Sequence, residues 1–84
     1  MTRIHFLCRV SDAAGRSEMN IDVPRTLNTV GELRAWLAAG DETLASVILL
    51  PSVRAAIDRA FCSDDSAAIG GAAEVAFMSP LSGG

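Results

Sequence analysis

The chain is bracketed by period-two alternation near both ends, and this feature most constrains what it can fold into. From Ile4 to Val10 the segment IHFLCRV sets Ile4, Phe6, Cys8 and Val10 on one side and His5, Leu7 and Arg9 on the other. Near the opposite end, EVAFM sets Val75 and Phe77 against Ala76 and Met78. Successive side chains of a strand point to opposite faces, so each segment reads as a strand with one core-facing side. A third alternating run, SEMNIDV, aligns Met19, Ile21 and Val23. The turn formers of SDAAGR separate it from the first, which predicts a hairpin closed by Pro24.

Helical spacing occupies the middle. In TVGELRAWLAAG, Thr29 and Glu32 form a capping box, which satisfies amide donors left open at a helix start. Val30, Leu33, Trp36 and Leu37 then read as one apolar face, with Trp36 as a core anchor and Gly40 as the stop; Gly31 weakens the first turn. Asp41 caps a shorter second helix carrying Leu44, Val47 and Ile48, and Pro51 ends it. VRAAIDRAF reads as one strand, with Val53, Ala55 and Ile57 inward and Arg54, Ala56 and Asp58 outward, and CSDDSAAIGGA as a loop. The order β-β-α-(α)-β-β places the chain in the α+β class. It predicts a mixed sheet packed on one main helix, with a second short helix beside it. This is the ubiquitin-like β-grasp arrangement, in which the first and last strands lie parallel at the centre of the sheet. Residues 1–79 form the expected domain, and 80–84 a flexible tail ending in Gly-Gly.

With 84 residues, half of them hydrophobic, the chain can build one core and no second. It has no apolar run of about 18 residues, and His5 and Arg9 interrupt the opening segment, so neither a membrane span nor a signal peptide is expected. A soluble cytoplasmic protein is the resulting expectation. The net charge of −3 and the lack of a basic run argue against nucleic acid and anionic membranes as partners. All seven basic residues are arginine. A genome that favours arginine codons accounts for this. So would a tail that becomes an activated acyl group, which gains from having no side-chain amine to attack it. Cys8 and Cys62 lack metal-type spacing and read as reduced packing residues, with no metal expected.

No ordinary active site is legible. His5 is the sole histidine, with no evident nucleophile beside it. The carboxylates fall on polar faces or in loops. Gly70 and Gly71 precede a strand and lack a lysine, so they are not a phosphate loop. The end of the chain carries the chemistry instead. Pro80 stiffens the exit from the last strand, Leu81 is an apolar handle, and Ser82, Gly83 and Gly84 make a thin extended tail. Glycines can enter a channel too narrow for a Cβ atom. Ordering them costs about 1–2 kcal/mol of backbone entropy per residue, which a partner must offset elsewhere. Leu7, Ala76 and Met78 on the outward face of the sheet are candidates for that contact. Burying each large apolar side chain there is worth about 1.5–3 kcal/mol.

Taken together, RIHFLCRV with a glycine five residues on, TVGELRAWLA, RAAID and above all EVAFMSPLSGG resemble the MoaD family. These are the small sulfur-carrier subunits of molybdopterin synthase, within the MoaD/ThiS ubiquitin-like superfamily. The resemblance covers nearly the whole chain. Ser79 stands where a first proline is usual and Met78 where an aromatic is usual, and CSDDSAAIGGAAE is less typical.

The resemblance implies that an ATP-dependent, MoeB-like adenylating enzyme activates the Gly84 carboxylate. Sulfur from a persulfide donor then displaces AMP to leave a thiocarboxylate. The tail, Pro80 to Gly84, inserts into a MoaE-like large subunit and donates sulfur to precursor Z, cyclic pyranopterin monophosphate. The complex is a heterotetramer, two carriers are used per pterin, and the catalytic side chains come from the large subunit. On this reading the chain is no enzyme on its own and binds no cofactor. The docking face would comprise Leu7, Ala76 and Met78, with Phe61 a further candidate. Parity turns Phe61 inward with Ile57, so its membership requires a bulge or turn near Arg59.

Other readings stay open: a carrier for thiamine, cysteine or transfer-RNA thiolation, a ubiquitin-like protein modifier, or an interaction domain with an inert tail. Exposed Leu7 and Met78 also make self-association of the isolated chain an option.

Overall fold

The computed structural model describes residues 1–62 and 64–79. The elements run β1 (Thr2–Leu7), α1 (Arg9–Ala14), β2 (Glu18–Ile21), α2 (Val30–Ala39), α3 (Glu42–Ile48), β3 (Arg54–Ile57), β4 (Ala60–Phe61) and β5 (Glu74–Met78). The strands form one sheet in the order β2-β1-β5-β3-β4. β1 and β5 pair in parallel, from Arg3 opposite Glu74 to Leu7 opposite Met78, and the other pairings are antiparallel. The central parallel pair and the α+β class are as the sequence predicts, and the topology is the β-grasp.

Cross-strand partners share a face, so the register assigns the sides. Ile4 and Phe6 from β1, Val75 and Phe77 from β5 and Ala55 from β3 point inward. There they join Val30, Leu33 and Leu37 of α2 and Leu44 and Ile48 of α3 in one buried cluster.

Both halves of the capping box form: the Thr29 hydroxyl accepts the Glu32 N–H at 3.3 Å, and the Glu32 carboxylate accepts the Thr29 N–H at 3.2 Å. The Asp41 carboxylate caps α3 by accepting the amides of Thr43 and Leu44. The loop before β5 settles against the start of α2. The carbonyl oxygens of Ala67 and Asp65 accept the amides of Val30 and Gly31, two of the donors a helix start leaves open. Glycine at 31 permits this approach, because a Cβ there would lie 3.1 Å from the Cβ of Asp65.

Four sequence-based expectations are corrected. First, SDAAGR is not a plain turn: β1 stops at Leu7, Cys8 takes φ 59°, and Val10 is buried as part of α1. Gly15, at φ 74°, ends α1 in the left-handed conformation that glycine adopts without strain. β2 ends at Ile21, short of Val23. Second, Cys8 is exposed rather than a buried packing residue, whereas Cys62 is half-buried against the core. Third, the run from Val53 to Phe61 is two strands. Asp58 (φ 48°) and Arg59 (φ 72°) turn the chain back so that Ala60 pairs with Ile57 and Phe61 with Ala56. The Asp58 carboxylate braces that turn by accepting the amides of Ala73 and Glu74.

Fourth, Trp36 is 41% exposed, and Arg34, at 7%, takes the buried place on α2. One Arg34 terminal nitrogen donates to the carbonyl oxygens of Ile48 (2.8 Å), Leu50 (3.3 Å) and Val53 (3.1 Å), and the other to Asp65 (2.9 Å). Its guanidinium also lies 5.7 Å from the centre of the Phe77 ring. A cation at the carbonyl end of α3 is favoured by the helix dipole, and a planar fork can serve several acceptors at once.

Candidate docking face and tail root

The face of the sheet turned away from the helices is built in rows. In one row, Leu7 of β1, Met78 of β5 and Arg54 of β3 lie side by side. In the next, Glu18 of β2, His5, Ala76, Ala56 and Phe61 follow in order across all five strands. Leu7 is 41% exposed and Phe61 72%, while Ala76 and Met78 are half-buried. The four residues proposed from sequence as a docking group therefore share one face. Phe61 reaches it through the Asp58–Arg59 turn, which resets the parity that would have turned it inward with Ile57. Ala56, also on this face, is only 6% exposed between its row neighbours, so the row is apolar from β5 to β4.

Polar side chains occupy the β2 side of the same face. The His5 Nε2 lies 3.0 Å from a Glu74 carboxylate oxygen and its Nδ1 lies 3.8 Å from Glu18, which Arg3 approaches at 3.7 Å. The ring partners of His5 are thus carboxylates rather than a nucleophile.

The parallel β1–β5 pair brings Leu7 and Met78 to the end of the sheet from which the chain continues toward its tail. Ser79, the first residue past β5, is buried, and its hydroxyl accepts the Arg9 N–H at 3.1 Å. That amide opens α1, whose N-cap residue Cys8 supplies no side-chain acceptor. Where the resemblance expects a proline, the chain uses a hydroxyl to tie the root of the tail to α1. Pro80, Leu81, Ser82, Gly83 and Gly84, the proposed tail and reactive end, lie outside the described residues.

Two further features lie outside the proposed docking group. The half-exposed Trp36 lines an open cleft of about 510 Å³ together with Phe6, Met19, Leu37 and Leu44. The Asp64 carboxyl, which lines a second pocket with Arg34, is held below its ordinary value, chiefly by the Ser66 hydroxyl and then by the Ser66 amide. Among the described residues, no cluster of three or more His, Cys, Asp or Glu side chains could hold a metal ion. No helix there is long and apolar enough to cross a membrane.

Sequence reasoning missed the His5–Glu74 contact, the Ser79 tie and Arg34. The alternation did place His5 beside Leu7 on the outer face, but which residue of another strand meets it depends on register.

The model of the ThiS family matches residues 4–84. Among solved structures, the chain is similar to SAMP1 from Haloferax volcanii, with 20% identity and a TM-score of 0.78 over 99% of this chain and 98% of that one. At that identity the likeness bears on the fold, which both chains share along nearly their full length. No curated protein matches the sequence.

Proposed function

From the premise that this chain belongs to the ThiS family of ubiquitin-like sulfur carriers, we propose that it serves molybdenum-cofactor biosynthesis and that Gly84 is its working residue. The two-helix middle and the ending SPLSGG favour the molybdenum route. The joint placement of Leu7 and Met78 on parallel neighbours, at the end of the sheet from which the chain continues, supports a docking face beside the tail. The family match extends through Gly83 and Gly84 as well. The outer face supplies contact area, and the tail supplies reach.

The chemistry follows from the weakness of a carboxylate as an electrophile. A MoeB-like enzyme uses ATP to join AMP to the Gly84 carboxylate, converting its oxygen into part of a leaving group. A persulfide sulfur attacks the carbonyl carbon and AMP departs, leaving an acyl disulfide. A second thiolate of the sulfur donor then attacks the donor-side sulfur, forming a disulfide on the donor and releasing the thiocarboxylate on Gly84. Within the complex with a MoaE-like large subunit, that sulfur passes to precursor Z. The thin Gly83–Gly84 end suits a narrow channel, and contacts through Leu7, Phe61, Ala76 and Met78 offset the entropy of ordering the tail. No cofactor is needed on the carrier itself.

Two measurements test this. Mass spectrometry of the native protein is expected to find oxygen replaced by sulfur at Gly84. Attachment of Gly84 to target lysines would instead identify a protein modifier. A strain lacking molybdoenzyme activity is expected to recover growth with the full-length chain and not with one lacking Gly84. Equal recovery with both would leave the tail inert, and failure with both would point to another sulfur pathway.

A further inference from the structure

β2 is an open edge of the sheet, paired only with β1. The Phe6 amide donates to the Ser17 carbonyl oxygen at 2.8 Å, and Ile4 stands opposite Met19. Hydrogen-bonded places alternate along an antiparallel ladder, so Ser17, Met19 and Ile21 bond toward β1. Glu18 and Asn20 then direct their amides and carbonyl oxygens away from the sheet. Among the described residues, no other backbone segment meets those groups. Such a row is a template for a further strand.

The open cleft of about 510 Å³ runs along this edge. Arg34 and Trp36 sit on opposite sides of the buried stripe of α2. Arg34 reaches the carbonyl oxygen of Val53, next to β3. Trp36 therefore leans toward the β2 margin, where it lines the cleft with Met19. It stays 41% exposed there, although its ring is the largest apolar group the chain could bury.

We propose that β2 and this cleft take up an extended segment of another protein, added to the sheet as a further strand, with apolar side chains at alternate positions and basic ones between them. The backbone groups decide the form of the occupant, because donors and acceptors at strand spacing are met in full by another extended backbone. The two faces decide its sequence. Side chains on the Met19 side of the added strand enter the cleft and cover Trp36. Those between them lie on the Glu18 side, where the Glu18 carboxylate is exposed and the chain as a whole carries a charge of −3. A lysine or arginine beside Glu18 makes a cross-strand pair of opposite charge. A second copy of this chain is a poorer occupant, since β2, with the sequence EMNI, has no basic residue to offer Glu18. This surface is separate from the outer face that carries Leu7 and Met78.

The probe is an acetylated, amidated octapeptide alternating valine with arginine, titrated into the full chain. Trp36 is the sole tryptophan, so its fluorescence reports on the cleft. The expected result is a saturable blue shift of that emission, with the Glu18 and Asn20 amides gaining protection from hydrogen exchange. Two further peptides carry N-methyl groups, one on the arginine nitrogens and one on the valine nitrogens. Only one of these sets faces β2 in a given strand direction, so one peptide is expected to bind about tenfold more weakly and the other as the parent does. Glu18→Gln should weaken the parent peptide several-fold. The proposal is overturned if the parent leaves Trp36 and those amides unchanged, or if the two methylated peptides behave alike. Equal binding by a peptide with its valines and arginines in separate blocks would also overturn it, since charge alone would then explain the binding. Self-association that protects the same amides with no peptide present would make a second copy the occupant and overturn it as well.

Discussion

Arg34, rather than Trp36, lies on the buried stripe of α2. Counted strictly, the helical places i, i+3, i+4 and i+7 from Val30 are 30, 33, 34 and 37, so the buried position was available to spacing alone. The apolar bulk of tryptophan argues for Trp36 instead, because arginine is rarely buried unless its charge and donors are met. Here its two terminal nitrogens are met by carbonyl oxygens around the end of α3 and by Asp65, partners brought in by the tertiary structure, while its Nε has no partner among the described residues. Arg34→Ala would leave those carbonyls without their donor. It is expected to cost about 3 kcal/mol, a large share of the stability of so small a domain. Urea denaturation would measure the loss, and Arg34→Lys should recover only part of it, since an ammonium lacks the planar fork.

Among the elements, those with strong local signals were read correctly. The Thr29 capping box and the Asp41 cap gave α2 and α3, and alternation gave β1, β2 and β5. The six-residue α1 escaped, since alternation carried past Leu7 and so short a helix has little periodicity to show. Isolated helices of that length are unstable, and α1 depends on the burial of Val10 and the Ser79 tie. In the sequence, the turn between β3 and β4 enters only as a condition for Phe61. Two-residue turns of this type favour glycine at their second place, yet Arg59 holds φ 72° there. Arg59→Gly is expected to stabilise the domain by about 0.5 kcal/mol, the relief of left-handed strain slightly exceeding the entropy glycine loses. A rise in the urea midpoint with unchanged slope would show it, and a fall would indicate that the arginine side chain contributes to the turn.

At the scale of the whole molecule, one face of the sheet makes the core and the other is the proposed docking face. Phe61 belongs to the second, so Phe61→Asp is expected to leave stability within about 0.5 kcal/mol of wild type in denaturant unfolding while weakening partner docking. A larger loss would assign Phe61 to the fold instead. The sequence by itself determined the α+β class, the capped α2 and α3 and the inward sides of β1 and β5, because periods of two and of 3.6 and caps are local properties. Only the tertiary structure decided that Phe61 joins Leu7 and Met78, that Arg34 is buried while Cys8 and Trp36 are not, and that His5 meets Glu74. Each of those outcomes depends on register or packing between segments far apart in the chain, and one residue of slip or a two-residue turn exchanges the faces of a strand.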